Sequence, residues 1–333
     1  MMKSFLASIF FATTALAASR MTAPEGAIVV AKSGGDYDTV SAAVKALSTT
    51  STSTQTIFIE EGTYDEQVYI PSLAGELIIY GQTDDTTSYS GNLVNITHNI
   101  NLPMHVYVLT NKMGTVRNHS PNSSIYNLNI INTAGQVGHQ ALAVSAYGNG
   151  QGYYGCQFKG YQDTLLAQSG NQVYAHTLIE GAVDFIFGQH ARAWFHDCDI
   201  RVLKGPSSGY ITANGRSSET DISYYVIHKS NIAAASGNDV PSGTYYLGRP
   251  WSQYARVLFQ KTSMSDVINS AGWSEWSTTK ANTDNVTFAE YGNTGAGAKG
   301  KRASFSEKLN EPVSISTILG SDWQRWADTS YIN

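Results

Sequence analysis

The sequence predicts an all-β chain wound as a right-handed parallel β-helix, a solenoid with a capping helix at its N-terminal end and an irregular, short-helical tail at the other. Three observations predict it. Many short β-type runs, among them "TIFIEEG", "ELIIYGQT", "SIYNLNIINT", "WFHDCDIRV" and "ARVLFQKTSM", are separated by Gly, Asn, Ser and Asp. Chemically matched positions recur at one offset: Gly160 and Gly181, then Cys156, Thr177 and Cys198, then Phe158, Ile179 and Ile200, all 21 residues apart. The chain has 333 residues, 42% of them hydrophobic, which is enough for a long continuous core. A short period built from strands belongs to a solenoid, whose coils bury their apolar faces only by stacking on one another. A β-sandwich also has many short strands, but it needs no fixed repeat length.

The first element, residues 1–17, reads as a secretory signal peptide: Lys3, the apolar run "FLASIFFATTALA", then Ala15-Leu16-Ala17 as a small-x-small cleavage site. The run is shorter than the roughly 20 residues that span a bilayer. The expected mature chain, residues 18–333, is therefore a single exported domain that is soluble, extracellular and monomeric, with no membrane partner. Four Asn-x-Ser/Thr sequons, at Asn95, Asn118, Asn122 and Asn285, fit export. The formal charge is −5, and loss of Lys3 takes it to −6. Nucleic acid is excluded as a partner, because no basic run exists to displace counterions from phosphates.

Next comes "GGDYDTVSAAVKAL", with Val40, Ala43, Val44 and Leu47 at helical spacing and Asp38 as the expected N-cap. This helix should plug the first coil. The strand-rich middle follows, and the tail from about Phe305 to Trp326, with Leu309, Ile315, Leu319 and Trp323, should pack back against the coils.

Within the coils, "GYQD" (160–163) and "GAVD" (181–184) repeat the same build 21 residues apart. Residues one coil apart sit on neighbouring strands, roughly 4.8 Å from each other. Asp163 and Asp184 should then lie side by side, where two carboxyls cannot both ionise easily and one keeps its proton. Solenoids also stack Asn, Asp and Thr in ladders that serve turns alone, so spacing by itself leaves catalysis and scaffolding equally open. Cys156 and Cys198 are two coils apart, too far for a disulfide, and are expected as buried free thiols. His139, His176, His190 and His196 have no ligand spacing, so no metal is expected and no cofactor is implied.

"GYQDTL", "GAVDFIFG" and "LGRPW" (247–251), with "GTYDEQVYI", "HQALAV", "ITANGR", "GWSEW" and "FAEYGNTGAGA" in register around them, resemble the motifs of pectin methylesterases, most closely the secreted fungal branch. The resemblance implies hydrolysis of methyl esters of galacturonate units in pectin, a polysaccharide substrate, during plant cell wall modification. It implies Asp184 as nucleophile, Asp163 as general acid and then base, Gln140 and Gln162 as oxyanion donors, and Arg249 as the partner that keeps Asp184 charged. Trp251 would stack on a sugar ring, and Phe187 would touch substrate. Leu166 and Ser252 depart from the family's usual Tyr and Lys, which bears on subsites and leaves the chemistry intact. An acidic chain should also favour highly methylated pectin. The rival classes are a chain-cleaving pectinase, a thioesterase and a non-catalytic β-solenoid; Asn282-Thr283-Asp284 resembles a polygalacturonase motif but lacks its companions.

Overall fold

The computed structural model describes residues 18–100, 112–136, 139–205 and 207–332; the expected signal peptide lies outside the described residues. The chain winds as a parallel β-helix of three sheets with 11, 7 and 8 strands, and the strands within each sheet pair in parallel. Neighbours in a sheet come from successive coils, and the offset of 21 appears directly as Leu165↔Ile186, Tyr153↔Tyr174 and Phe158↔Ile179.

The cysteine repeat marks one turn of each coil. Gly155, His176, Asp197, Lys229 and Lys261 all adopt left-handed conformations with φ between 50° and 58°. Each is followed by a small buried residue, respectively Cys156, Thr177, Cys198, Ser230 and Thr262. That side chain fits inside the bend and serves the coil before it: Thr177 Oγ1 accepts from Cys156 N at 3.3 Å, and Ser230 Oγ from Cys198 N at 3.1 Å. The two thiols donate to carbonyls, Cys156 to Ile125 O at 3.5 Å and Cys198 to Tyr174 O at 3.3 Å. Both cysteines are free, as the spacing predicts, and burial pushes both thiols up to about 12.

Inside the coils, the 21-residue register stacks aromatic rings. Tyr153 lies 5.0 Å from Tyr174, and Tyr174 lies 4.7 Å from Phe195, with planes within 8°. Their hydroxyls find Gln151 and Gln172, so a polar tip is carried into the core without a lost hydrogen bond.

The capping helix α1 spans Val40–Ala46 and buries Val40, Ala43 and Val44. Its N-cap is Thr39 and not the expected Asp38: the Thr39 hydroxyl accepts from Ala42 N at 3.2 Å. The anion at this helix start comes from a neighbouring coil, where the Glu66 carboxylate accepts from Val40 N at 2.7 Å and Ser41 N at 2.8 Å. At the other end, the strand Ser306–Lys308 closes the 11-stranded sheet and helix α2 (Ile315–Leu319) follows. The tail lays Ile318, Leu319, Trp323 and Tyr331 over Tyr154, Val173, Trp194 and Val226, on the outer face of that sheet. Among the described residues, no helix is long and apolar enough to cross a membrane.

Candidate active site

The seven-stranded sheet carries the site. One of its strands, Leu165–Ala167, follows the first G-x-x-D phrase, and another, Val183–Gly188, begins within the second and carries Asp184. Gln162 bridges to Val183, and Asp163 N donates to Val183 O at 3.0 Å, so the aspartates stand on adjacent coils. Both adopt left-handed backbone conformations, φ 63° at Asp163 and 49° at Asp184. Asp tolerates this region better than branched residues do. At Asp184 the left-handed residue coincides with a bulge: Val183 pairs with Tyr210, but Ile186 pairs with Thr212, so three steps on one strand face two on the next. The extra residue breaks strand alternation and re-aims the carboxyl.

The glycine opening the second phrase is demanded by contact. A Cβ on Gly181 would lie 2.3 Å from the Phe185 Cβ, and Phe185 is fully buried. Gly248, just before Arg249, is pressed as closely against Thr212, whose Oγ1 would lie 2.0 Å from an added Cβ. Arg249 N then donates to Thr212 O at 3.0 Å, and that tight seat sets where the Arg249 side chain starts.

The guanidinium of Arg249 grips Asp184 with two hydrogen bonds, Nε to Oδ1 at 2.9 Å and Nη2 to Oδ2 at 2.7 Å. It lies between the Tyr210 ring, 4.0 Å away, and the Trp276 ring, 4.4 Å away. Two aromatic faces and a carboxylate thus fix a planar cation from three sides. Asp163 and Asp184 are buried, 7% and 6% exposed. Burial pushes Asp163 well above the usual carboxylate range, and the nearby Asp184 charge raises it further; Arg249 opposes both. Burial also raises Asp184, against which its hydrogen bonds and charge pairing with Arg249 act downward. Arg249 acts on Asp184 in the expected direction, and its guanidinium offsets desolvation in part. The ordering survives, since Asp163 lacks the bidentate partner and rises further. Asp184 is thus the carboxyl with a direct counter-charge, and Asp163 the one without.

The seven residues anticipated from the sequence, Gln140, Gln162, Asp163, Asp184, Phe187, Arg249 and Trp251, line one cleft of about 420 Å³. Gln140 and Gln162 bring side-chain amides to it, and no described residue engages either amide. Phe187, Trp251, Ala213 and Trp276 supply an apolar wall, with the Phe187 and Trp251 rings 6.3 Å apart. A carboxyl gripped by a guanidinium, a second buried carboxyl and free amide donors beside an apolar wall suit acyl transfer to an oxygen nucleophile.

Sequence reasoning missed Ala213, Ser252 as a lining residue, Trp276 and Lys280. Trp276 closes the noted phrase "GWSEW", whereas Lys280 sits in a polar loop that carries no signal at all. The other tryptophan of that phrase, Trp273, is core and stacks on Phe288 at 4.3 Å. Of the noted histidines, His190 pairs with Asp221 at 2.6 Å and His176 meets Thr87 O at 3.0 Å, both away from the cleft.

The family model described as Pectinesterase matches residues 27–310. A curated pectinesterase of Aspergillus niger is 74% identical over 333 residues, covering all of both chains, and one of Aspergillus aculeatus is 66% identical over 331 residues, covering 99% of this chain and 100% of its own. Among solved structures, a pectin methylesterase from Aspergillus niger in deglycosylated form superimposes with a TM-score of 0.86 at 40% identity, covering 94% of this chain and 100% of its own. The pectin methylesterase from carrot gives 0.82 at 31% identity, covering 91% and 97%.

Proposed function

The chain belongs to the pectinesterase family and is a carboxylic ester hydrolase acting on pectin, and on that premise we propose that Asp184 and Asp163 perform the hydrolysis as nucleophile and proton shuttle. The observation that carries the reading is the bidentate Arg249–Asp184 pair beside a second buried carboxyl. An Asp184 oxygen attacks the carbonyl carbon of a galacturonate methyl ester, and the electron pair of the C=O bond moves onto oxygen. The amide N–H groups of Gln140 and Gln162 donate to that oxyanion. As the carbonyl re-forms, the bond to methoxide breaks and Asp163 delivers its proton, so methanol leaves and an acyl-enzyme anhydride remains. Asp163, now ionised, takes a proton from water; the hydroxide attacks the galacturonyl carbonyl and releases free galacturonate and Asp184.

Trp251 and Phe187 form the wall against which the sugar ring lies. The chemistry is completed by the chain's own side chains, and the pectin product carries one more carboxylate for each methanol released. Action on plant cell wall pectin outside the cell fits the signal-like residues 1–17 and the exposed sequon residues Asn122 and Asn285. Residues 18–333 serve as one catalytic domain, a reading supported by the tail packed on the same coils.

The test follows methanol, new reducing ends and unsaturated ends together on highly methylated pectin. Methanol alone supports the esterase; reducing or unsaturated ends would mean chain cleavage. Asp184→Asn should abolish methanol release with the fold intact, and retained release would remove Asp184 as nucleophile.

A further inference from the structure

Among the described residues the cleft is lined by two cations, of which Arg249 is committed and Lys280 is not. Arg249 is held by Asp184 on one side and by the Tyr210 and Trp276 rings on the others. Lys280 lines the same cleft at its rim, exposed, and forms no ion pair with a described residue. Its backbone is braced. Trp276 N donates to Ala281 O at 3.0 Å and Ser277 N to Lys280 O at 3.1 Å, while Lys280 N returns a bond to Ser277 Oγ at 3.1 Å. Asn282, left-handed at φ 61°, ties this turn to the catalytic segment: its Nδ2 donates to Pro250 O at 3.1 Å and Trp251 O at 2.9 Å. The residues between Trp276 and Asn282 thus form a short arm clamped beside Arg249-Pro250-Trp251. One end presents an indole to Arg249, and the other presents an ammonium to solvent at the mouth.

The substrate has its own charge problem. The scissile unit is a neutral ester, but its neighbours on the polymer are esters or free carboxylates. The charge of Asp184 at the cleft centre, paired only by Arg249, disfavours a further free carboxylate, so a charged unit is tolerated best where a second cation faces it. We propose that Lys280 is a specificity-determining residue that reads the free carboxylate of a galacturonate unit next to the scissile ester, with Asn282 as the positioning residue that holds its arm. This deepens the esterase reading and rests on it. It also gives Asn282, whose triplet was noted in the sequence without a use, a defined task.

The experiment compares kcat/KM for methanol release on two pectins, one fully methylated and one randomly de-esterified to about half. Lys280→Gln should lower kcat/KM on the half-esterified substrate about three- to fivefold, the range of an exposed ion pair, and leave the fully methylated substrate unchanged. Lys280→Arg should restore the half-esterified rate. In the wild type, added salt should erode the same preference, because the pair is exposed. Asn282→Ala should reproduce the Lys280→Gln pattern through KM and leave kcat on fully methylated pectin unchanged. An equal loss on both substrates would make the arm a structural brace, and no loss on either would make Lys280 a solvated bystander; either result overturns the proposal. Wild-type methanol release from fully methylated pectin tests the esterase reading separately, since no step of it involves Lys280.

Discussion

Arg249 meets Asp184 fork to fork, Nε to Oδ1 at 2.9 Å and Nη2 to Oδ2 at 2.7 Å, from a coil that the 21-residue period does not reach. The pair forms because the strand Tyr245–Gly248 lies beside Gly209–Asn214, which lies beside Val183–Gly188. A guanidinium so placed keeps a buried carboxylate chargeable, and most consequences of the site follow from that.

Arg249→Ala should leave Asp184 buried without its counter-charge. Removing one partner of a buried pair costs about 3 kcal/mol or more, on the order of a hundredfold in rate if expressed in the transition state. The pKa of Asp184 would also rise, since burial acts alone once the lowering influence of Arg249 is gone. The acid limb of the kcat/KM profile should therefore move to higher pH. Arg249→Lys should show a smaller shift and still lose rate, because an ammonium offers no planar fork.

The wild-type pH–rate profile should be bell-shaped. Asp184 must be ionised to attack, so activity is lost as pH falls through the lower step; Asp163 must be protonated to release methanol, so activity is lost as pH rises through the upper step. Burial raises both carboxyls, which places the bell above the pH range of free aspartate, and the two limbs belong to the pair as a unit. Asp163→Asn should remove the alkaline limb from whatever activity remains and keep the acid one. An unchanged alkaline limb would assign the proton to another group.

Gly181→Ala tests whether the motif glycine is a packing requirement. The added methyl meets the Phe185 Cβ at 2.3 Å, and neither group has room to yield. Overpacking of this kind costs about 1–3 kcal/mol, so the melting temperature should fall by several degrees. The strand that carries Asp184 would shift with Phe185, and kcat should fall more than KM changes.

The fold was legible in the sequence wherever coils share one length. Asp163 and Asp184, the aromatic rungs and the first three positions of the cysteine turn, Gly155, His176 and Asp197, obey the offset of 21, so periodicity alone brings them together. Beyond Gly188 the coils lengthen: Thr212 pairs with Gly248, 36 residues on, and no period could have placed Arg249 there. Only its motif did. Thr39 displaced Asp38 as the cap because the helix starts one residue later, and side-chain chemistry permits both. Lys280 had no trace in the sequence, since its place depends on how a polar turn folds over Trp251. The sequons show the same limit: Asn118 is buried, with Nδ2 donating to Ser123 Oγ at 2.9 Å and Tyr153 Oη at 3.2 Å. Glycopeptide mapping should find sugar at the exposed Asn122 and Asn285 and none at Asn118.

The tail should be held by a latch that senses acid. Gln260 clamps Val313 twice, its Oε1 accepting from Val313 N and its Nε2 donating to Val313 O, each at 2.9 Å. This fixes the amide orientation, so the same Nε2 is a donor towards His228 Nδ1 at 2.9 Å, and that nitrogen must carry no proton. His196 sits on the adjacent coil, its ring 5.3 Å from His228 and tilted by 40°, with Lys229 and Lys261 alongside; the facing tail segment, Pro312 to Ile315 with Ile332, contributes no charge. Burial lowers both histidines from 6.5 to about 4, helped at His228 by His196, Lys229 and Lys261 and at His196 by Lys229 and His176; Asp197 opposes this at His196. The folded state thus binds fewer protons than the unfolded one between those limits. Stability from this site is complete above about pH 6.5 and is lost as pH falls towards 4. Amide exchange at Val313 should accelerate across that window before the coils themselves loosen. His228→Gln cannot take up a proton and should flatten much of that dependence, leaving the share that His196 contributes. A tail whose exchange rises no faster than that of the coil strands over the same pH range would show that the histidines only fill space beneath it.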